Sequence, residues 1–157
     1  MILFLTSLLS LGAVLVLQRM PGGNAVDVVT PLIVAVGLGT PMRRSVPWAC
    51  VMGAVWSVFV NFHPAALIAL WCAVVLVLGV VARGTEWEKP VVGATIAATT
   101  AVVWRIGAML IGWFGGAPPT IDRYALLSFA ARPLTAGILF LLVGVPLAHA
   151  LRPERLR

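Results

Sequence analysis

Long and nearly uncharged apolar segments constrain the fold of this chain more than any other feature of its sequence. They extend over residues 2–18, 65–82 and 90–114, and again from 124 to about 150. Hydrophobic residues make up 61% of the chain and charged residues 10%, whereas soluble domains carry about 45–50% and about 25%. Because a water-exposed globule of this size needs more polar surface, we predict an integral membrane protein.

Two shorter apolar runs, residues 26–40 and 46–60, complete a set of six. A transmembrane helix needs about 20 apolar residues, so the set predicts an all-α, polytopic membrane bundle of about six helices in one domain, residues 1–157. The first run lacks a basic flank and a small-residue cleavage site, which predicts a retained helix and not a signal peptide. The two short runs leave a second possibility open, a re-entrant hairpin with four full crossings.

The basic residues predict the topology of this bundle. Six crossings place both termini on one side, and basic residues concentrate on the cytoplasmic side of a membrane. Only Arg19 and Arg123 fall on the side opposite the termini. The side of the termini carries seven: Arg43, Arg44, Arg83, Lys89, Arg152, Arg155 and Arg157. We therefore expect cytoplasmic termini, and we interpret the net charge of +6 as a topology signal with no nucleic-acid partner.

Two arginines inside apolar runs are the sharpest candidate site. Arg105 and Arg132 each lie about 12–14 Å from the outer surface, at 1.5 Å per helical residue, so two like charges are expected at one depth. A charge at this depth usually faces the bundle interior or finds a partner, and Asp27 is the nearest acidic residue on that side. Three interpretations stay open: a fold-holding network that includes phospholipid phosphates, an outer cavity that binds a partner helix or an anionic lipid, and snorkelling of the side chains.

The turn at Arg43 and Arg44 and the basic tail, residues 152–157, are the candidate contacts on the inner side. Anionic lipid of the inner leaflet is the expected partner of such clusters, and a cytoplasmic protein is the alternative.

Cysteines and histidines give no sign of catalysis. Cys50 and Cys72 lie in apolar runs without a C-x-x-C spacing, and His63 and His149 have no partner at a workable spacing. Small buried thiols are the expected interpretation of the two cysteines. We therefore expect no catalytic residue, no metal and no cofactor, and hence a protein that is not an enzyme.

Taken together, these segments resemble the rod shape-determining protein MreD family. The likeness lies in the retained first helix, the short re-entry with Asp27-Val28-Val29, the Arg43-Arg44 turn, the glycine-bearing segment Val51–Ser57 and the basic ending after Leu151. It implies a non-enzymatic subunit of the bacterial inner membrane that works in cell elongation. Such a subunit binds MreC, a single-pass protein, and links it to RodA, to a class-B penicillin-binding protein and, indirectly, to MreB.

The family fold is similar to the substrate-binding subunits of energy-coupling-factor transporters, which supplies an alternative function. A transporter subunit needs an outward pocket with several polar groups, and Asp27 with the two buried arginines could begin one. A scaffold instead needs grooves of apolar or small residues that hold a partner helix. The first helix lacks the small-residue stripe expected for docking to an energising subunit, so the sequence favours the scaffold.

Overall fold

Every described segment of the chain is helical. The computed structural model describes residues 26–60, 63–116 and 123–152, and the single positions Ser7, Leu8, Gly12 and Val16 before them. The helices are α1 (Val29–Gly39), α2 (Met42–Val60), α3 (Pro64–Gly84), α4 (Pro90–Phe114), α5 (Arg123–Leu139) and α6 (Val145–Leu151), with a π-helical turn at Phe140–Gly144 between the last two. No strand occurs in these ranges.

Three helical stretches are long and apolar enough to cross a membrane. They are Pro64–Gly84, Pro90–Phe114 and Leu126–Leu151, the last running from α5 through the π turn into α6. At 1.5 Å per residue, the shortest of them measures about 30 Å, the thickness of a hydrocarbon core. The predicted all-α architecture is confirmed, and the three stretches fit a helical membrane bundle. Three spans are fewer than the six predicted, and the first predicted helix lies largely outside the described residues.

Local sequence explains where the two longest helices begin. Pro64 opens α3 and Pro90 opens α4, and proline suits the first position of a helix because its missing N–H is not needed there. The residue after α3, Thr85, is extended. The start at Pro90 gives a tight connection from α3 into α4.

Helix α1 forms the centre of the bundle. All its residues from Thr30 to Gly39 are buried, and it packs against α3, α4, α5, α6 and the π turn. Its 11 residues rise only about 16 Å, which is half of a hydrocarbon core. Gly39 packs against the backbone of Ala148 near the end of α6. That contact holds the last residue of α1 near one membrane surface. The first residue of α1 therefore lies about halfway across the hydrocarbon core.

The other helices form two antiparallel pairs around α1. Helix α2 packs mainly on α3, and α4 packs mainly on α5. Trp71 of α3 is fully buried and makes edge-to-face contacts with Trp48 of α2 and Trp104 of α4, with ring centroids 5.6 and 5.4 Å apart. Such contacts stabilise aromatic pairs beyond their buried area. The tryptophans therefore join the two pairs near the middle of α3 and α4.

One end of the bundle collects the termini of five helices. Gly39, Gly84 and Leu151 end α1, α3 and α6 there, and Met42 and Pro90 begin α2 and α4. We call it the Arg152 end. The buried Trp87 lies in the turn between α3 and α4, 5.5 Å from the His149 ring and under the Arg152 guanidinium, which also pairs with Glu88. These contacts fasten that turn to the end of α6.

Candidate functional site

Asp27 caps the buried N-terminus of α1. Its Oδ1 accepts hydrogen bonds from the backbone N–H of Val29 (3.1 Å) and of Thr30 (3.0 Å), and its Oδ2 accepts one from the Thr30 hydroxyl (2.6 Å). The first N–H groups of a helix have no partner within the helix, and water cannot satisfy them at mid-depth. A carboxylate is the strongest acceptor for this position, and its charge also suits the positive end of the helix dipole.

The same aspartate is joined to α5 through Thr135. The Asp27 backbone N–H donates to the Thr135 hydroxyl (3.2 Å), and that hydroxyl donates to the backbone carbonyl of Arg132 (3.0 Å). The N-terminus of α1 is thus tied to the helix that carries one of the two membrane arginines.

Both arginines lie close to this cap. The Arg132 carbonyl accepts from the Thr135 hydroxyl that also contacts Asp27. The Arg105 Nη2 donates to the hydroxyl of Ser128, which precedes Arg132 by one helical turn, at 3.2 Å. The structure therefore brings together Asp27, Arg105 and Arg132. We call these three residues the charged cluster. Whether the cluster binds a partner or a lipid stays a prediction.

The remaining two candidates lie elsewhere. Arg43 and Arg44 are exposed in the first turn of α2, at the Arg152 end, whereas the charged cluster lies about halfway across. Neither arginine forms an ion pair with a described residue. A positive charge in the first turn of a helix opposes its dipole, so these residues do not stabilise α2. Contact with an anionic group from outside the helix is the interpretation that remains for them.

The structure brings the two cysteines together, although they are 22 residues apart. The Cys50 Sγ of α2 lies 3.4 Å from the Cys72 Sγ of α3, and both thiols are free. No group of three histidine, cysteine or acidic side chains that could hold a metal occurs among the residues that the structure describes. The thiol pair therefore shows how α2 packs against α3, and it does not form part of a metal site among the described residues.

An apolar groove lies between the two helix pairs, on the face where α3 and α4 diverge. Its volume is about 340 Å³. We call it the seam groove, and it is lined by Leu70, Val74, Val77, Val81, Thr95, Ile96, Thr99, Thr100 and Val103, with Ala73 and Leu78. Thr95 and Thr100 donate their hydroxyls to carbonyls of their own helix, Val91 and Ile96. The groove wall is therefore apolar although threonines contribute to it.

The seam groove covers roughly half of a membrane crossing. Its α3 wall, Leu70 to Val81, rises about 17 Å at 1.5 Å per residue. The contact between Trp71 and Trp104 closes the seam beyond Leu70, and the loop before Pro90 marks its other limit. Sequence reasoning missed this groove, because no single helix carries a signal for it.

Comparison of the chain with protein-family models, with curated proteins and with solved structures gives no significant match. Function therefore has to be inferred from the geometry and from the sequence pattern.

Proposed function

We propose that this protein is a non-enzymatic scaffold subunit of the bacterial cell-elongation complex, similar to MreD. It lies in the cytoplasmic membrane with both termini in the cytoplasm. It holds the single transmembrane helix of MreC in the seam groove, and through MreC it links RodA, the class-B penicillin-binding protein and, indirectly, the MreB filaments. The bound helix touches both helix pairs and keeps them in one arrangement.

The observation that carries this proposal is the seam groove itself. Val77 and Val103 on its two walls are 62% and 53% exposed, so the groove has apolar surface that packs against whatever lies beside it in the bilayer. Helices associate in lipid through close packing more than through hydrophobicity. A concave wall of alanine, valine and threonine offers such packing to one further helix over about three turns.

The geometry gives less support to a substrate-binding transporter subunit. Such a subunit needs polar groups that converge on a ligand. Three hydrogen bonds at the start of α1 engage both carboxylate oxygens of Asp27, which favours a structural role for the only acidic residue in the charged cluster.

A matched pair of substitutions tests the scaffold. Val77→Trp fills the seam groove, whereas Val51→Trp places the same side chain on α2, away from the groove. The two valines are 62% and 61% exposed, so lipid exposure does not distinguish them. The tagged full-length variants are isolated from native membranes in mild detergent, and the proteins that co-elute are identified by mass spectrometry.

We expect the unsubstituted chain and Val51→Trp to recover MreC together with RodA or its penicillin-binding partner, and Val77→Trp to lose them by at least about tenfold. A photocrosslinker placed at Val77 is expected to label the MreC helix, and the same group at Val51 is not. Equal recovery by both tryptophan variants would contradict the assignment of the groove. Recovery of ATPase subunits, or of a bound vitamin, would replace the scaffold with the transporter.

A further inference from the structure

A recess at the Arg152 end is separate from both the charged cluster and the seam groove. It has a volume of about 340 Å³ and lies where the end of α1, the beginning of α2 and the last turns of α3 meet the end of α6. Thr40, Met42, Gly79, Arg83 and Arg152 are among the residues that line it. Binding pockets for small molecules begin at about 300 Å³, so the recess has room for a phosphate group with a short polar substituent.

One polar group at this recess lacks a hydrogen-bond partner. Thr40 is 7% exposed, and its buried hydroxyl has no partner among the described residues. A buried hydroxyl without a partner costs about 1–3 kcal/mol, so native structures rarely keep one without a reason. An acceptor atom bound in the recess is the group that this hydroxyl needs.

The other polar groups of the recess are cationic donors. Arg83 forms no ion pair with a described residue, and Arg152 uses its Nη1 for Glu88, which leaves its remaining guanidinium N–H groups as donors. Helix α2 begins at Met42 and adds unpaired backbone N–H groups and the positive end of its dipole. Among the residues that the structure describes, none of those lining the recess is acidic.

We propose that the recess binds a phosphate group. Two guanidinium groups, a hydroxyl and a helix N-terminus together form the donor set that phosphate oxygens accept from. The helix ends place the recess at a membrane surface, where phospholipid headgroups lie, and the phosphate comes either from an anionic phospholipid or from solution. This inference does not depend on the proposed scaffold function.

Native mass spectrometry of the delipidated full-length protein tests the proposal. The two probes are phosphatidylglycerol and a diacylglycerol with the same acyl chains, which differ in the phosphate-bearing headgroup. We expect phosphatidylglycerol to bind at least about tenfold more tightly, as one charge-assisted hydrogen bond suffices for that factor. Equal binding of the two lipids would overturn the proposal.

Three variants locate the site. Arg83→Gln and Thr40→Val are each expected to weaken phosphatidylglycerol binding about tenfold. Lys89→Gln, a basic residue at the same end that does not line the recess, is expected to change it less than about twofold. Thr40→Val also removes the unpartnered hydroxyl, so its melting temperature is expected to stay the same or rise. An effect of Lys89→Gln as large as that of Arg83→Gln would overturn the proposal, because attraction by surface charge alone would then explain the binding.

Competition distinguishes the two sources of the phosphate. Inorganic phosphate at millimolar concentration is added to the unsubstituted protein and to Arg83→Gln, each with bound phosphatidylglycerol. If phosphate displaces the lipid from the unsubstituted protein, but not the more weakly bound lipid that Arg83→Gln retains, the recess accepts free phosphate. If it displaces none, while the three variants behave as expected, the recess is specific for the phosphate of a lipid. Failure of the lipid series would remove the phosphate site and leave the MreC experiment unaffected.

Discussion

Replacing Asp27 should lower the free energy of unfolding strongly although its side chain is small. Its carboxylate accepts three hydrogen bonds at the N-terminus of α1, and every residue of α1 from Thr30 onward is buried. Because α1 contacts both helix pairs, a frayed first turn loosens the whole bundle. The perturbation is Asp27→Ala, with Asp27→Asn as the conservative variant.

The structure sets the magnitude. Asp27→Ala leaves the N–H groups of Val29 and Thr30 without an acceptor in a dry environment, at about 1–3 kcal/mol each, so the free energy of unfolding should fall by about 4 kcal/mol. Asp27→Asn keeps a carbonyl oxygen for these N–H groups and loses the charge, so it should cost about 1–2 kcal/mol. Glu88→Ala removes a carboxylate from a half-exposed ion pair with Arg152 and should cost less than about 1 kcal/mol.

Reversible unfolding of the purified protein in mixed micelles measures these differences, with tryptophan fluorescence as the signal. The chain has six tryptophans, and three of them form the contact that joins the helix pairs, so the signal follows the tertiary structure. The expected order of destabilisation is Asp27→Ala, then Asp27→Asn, then Glu88→Ala. A loss below about 1 kcal/mol for Asp27→Ala would refute the reasoning, since the N-terminus of α1 would then have to be accessible to water.

Three further predictions test other contacts. Gly39→Ala should lower the free energy of unfolding by about 1–3 kcal/mol, because an added Cβ meets the backbone of α6. A Cβ added at Gly84 has nothing within 4 Å, so Gly84→Ala should change the free energy of unfolding by less than about 1 kcal/mol. Equal effects of the two substitutions on thermal unfolding would contradict this packing. Mild oxidation of native membranes should link Cys50 to Cys72 within one chain, detected as protection from a maleimide reagent, and unprotected thiols would contradict the α2–α3 register. Arg132→Leu should reduce inserted protein on a membrane blot and recovered partner in the same proportion, and a selective loss of the partner would assign this arginine to partner binding.

The sequence carried enough information to predict part of the charged cluster. Depth along a helix depends only on residue count, so the distances of Arg105 and Arg132 from their helix ends predicted two charges at one level. The run at 26–40 is shorter than a full crossing in the sequence itself, and α1 has 11 residues. Both features follow from the local sequence and the rise of a helix.

Other features depend on how helices cross, which local sequence does not encode. Cys50 and Cys72 face each other only because α2 and α3 pack in one register. The seam groove exists because α3 packs on α2 and α4 packs on α5, so α3 and α4 are left apart beyond their tryptophan contact. Thr40 gave no sequence signal, since a threonine after a helix is ordinary and its burial depends on α6. These features required the tertiary arrangement.

The position of α1 explains why this bundle keeps charges at mid-depth. A half-length helix buried in the centre exposes its first N–H groups where neither water nor a preceding turn can satisfy them, so a carboxylate at Asp27 is required. A lone carboxylate at that depth is itself costly, and Arg132 on α5 offsets it. These two requirements of the fold explain why Asp27 and one arginine are present without any partner. They favour the fold-holding interpretation of the charged cluster. A partner then has to be recognised elsewhere. No packing requirement within the described residues explains the shape of the seam groove, so the seam groove is the surface suited to bind a partner.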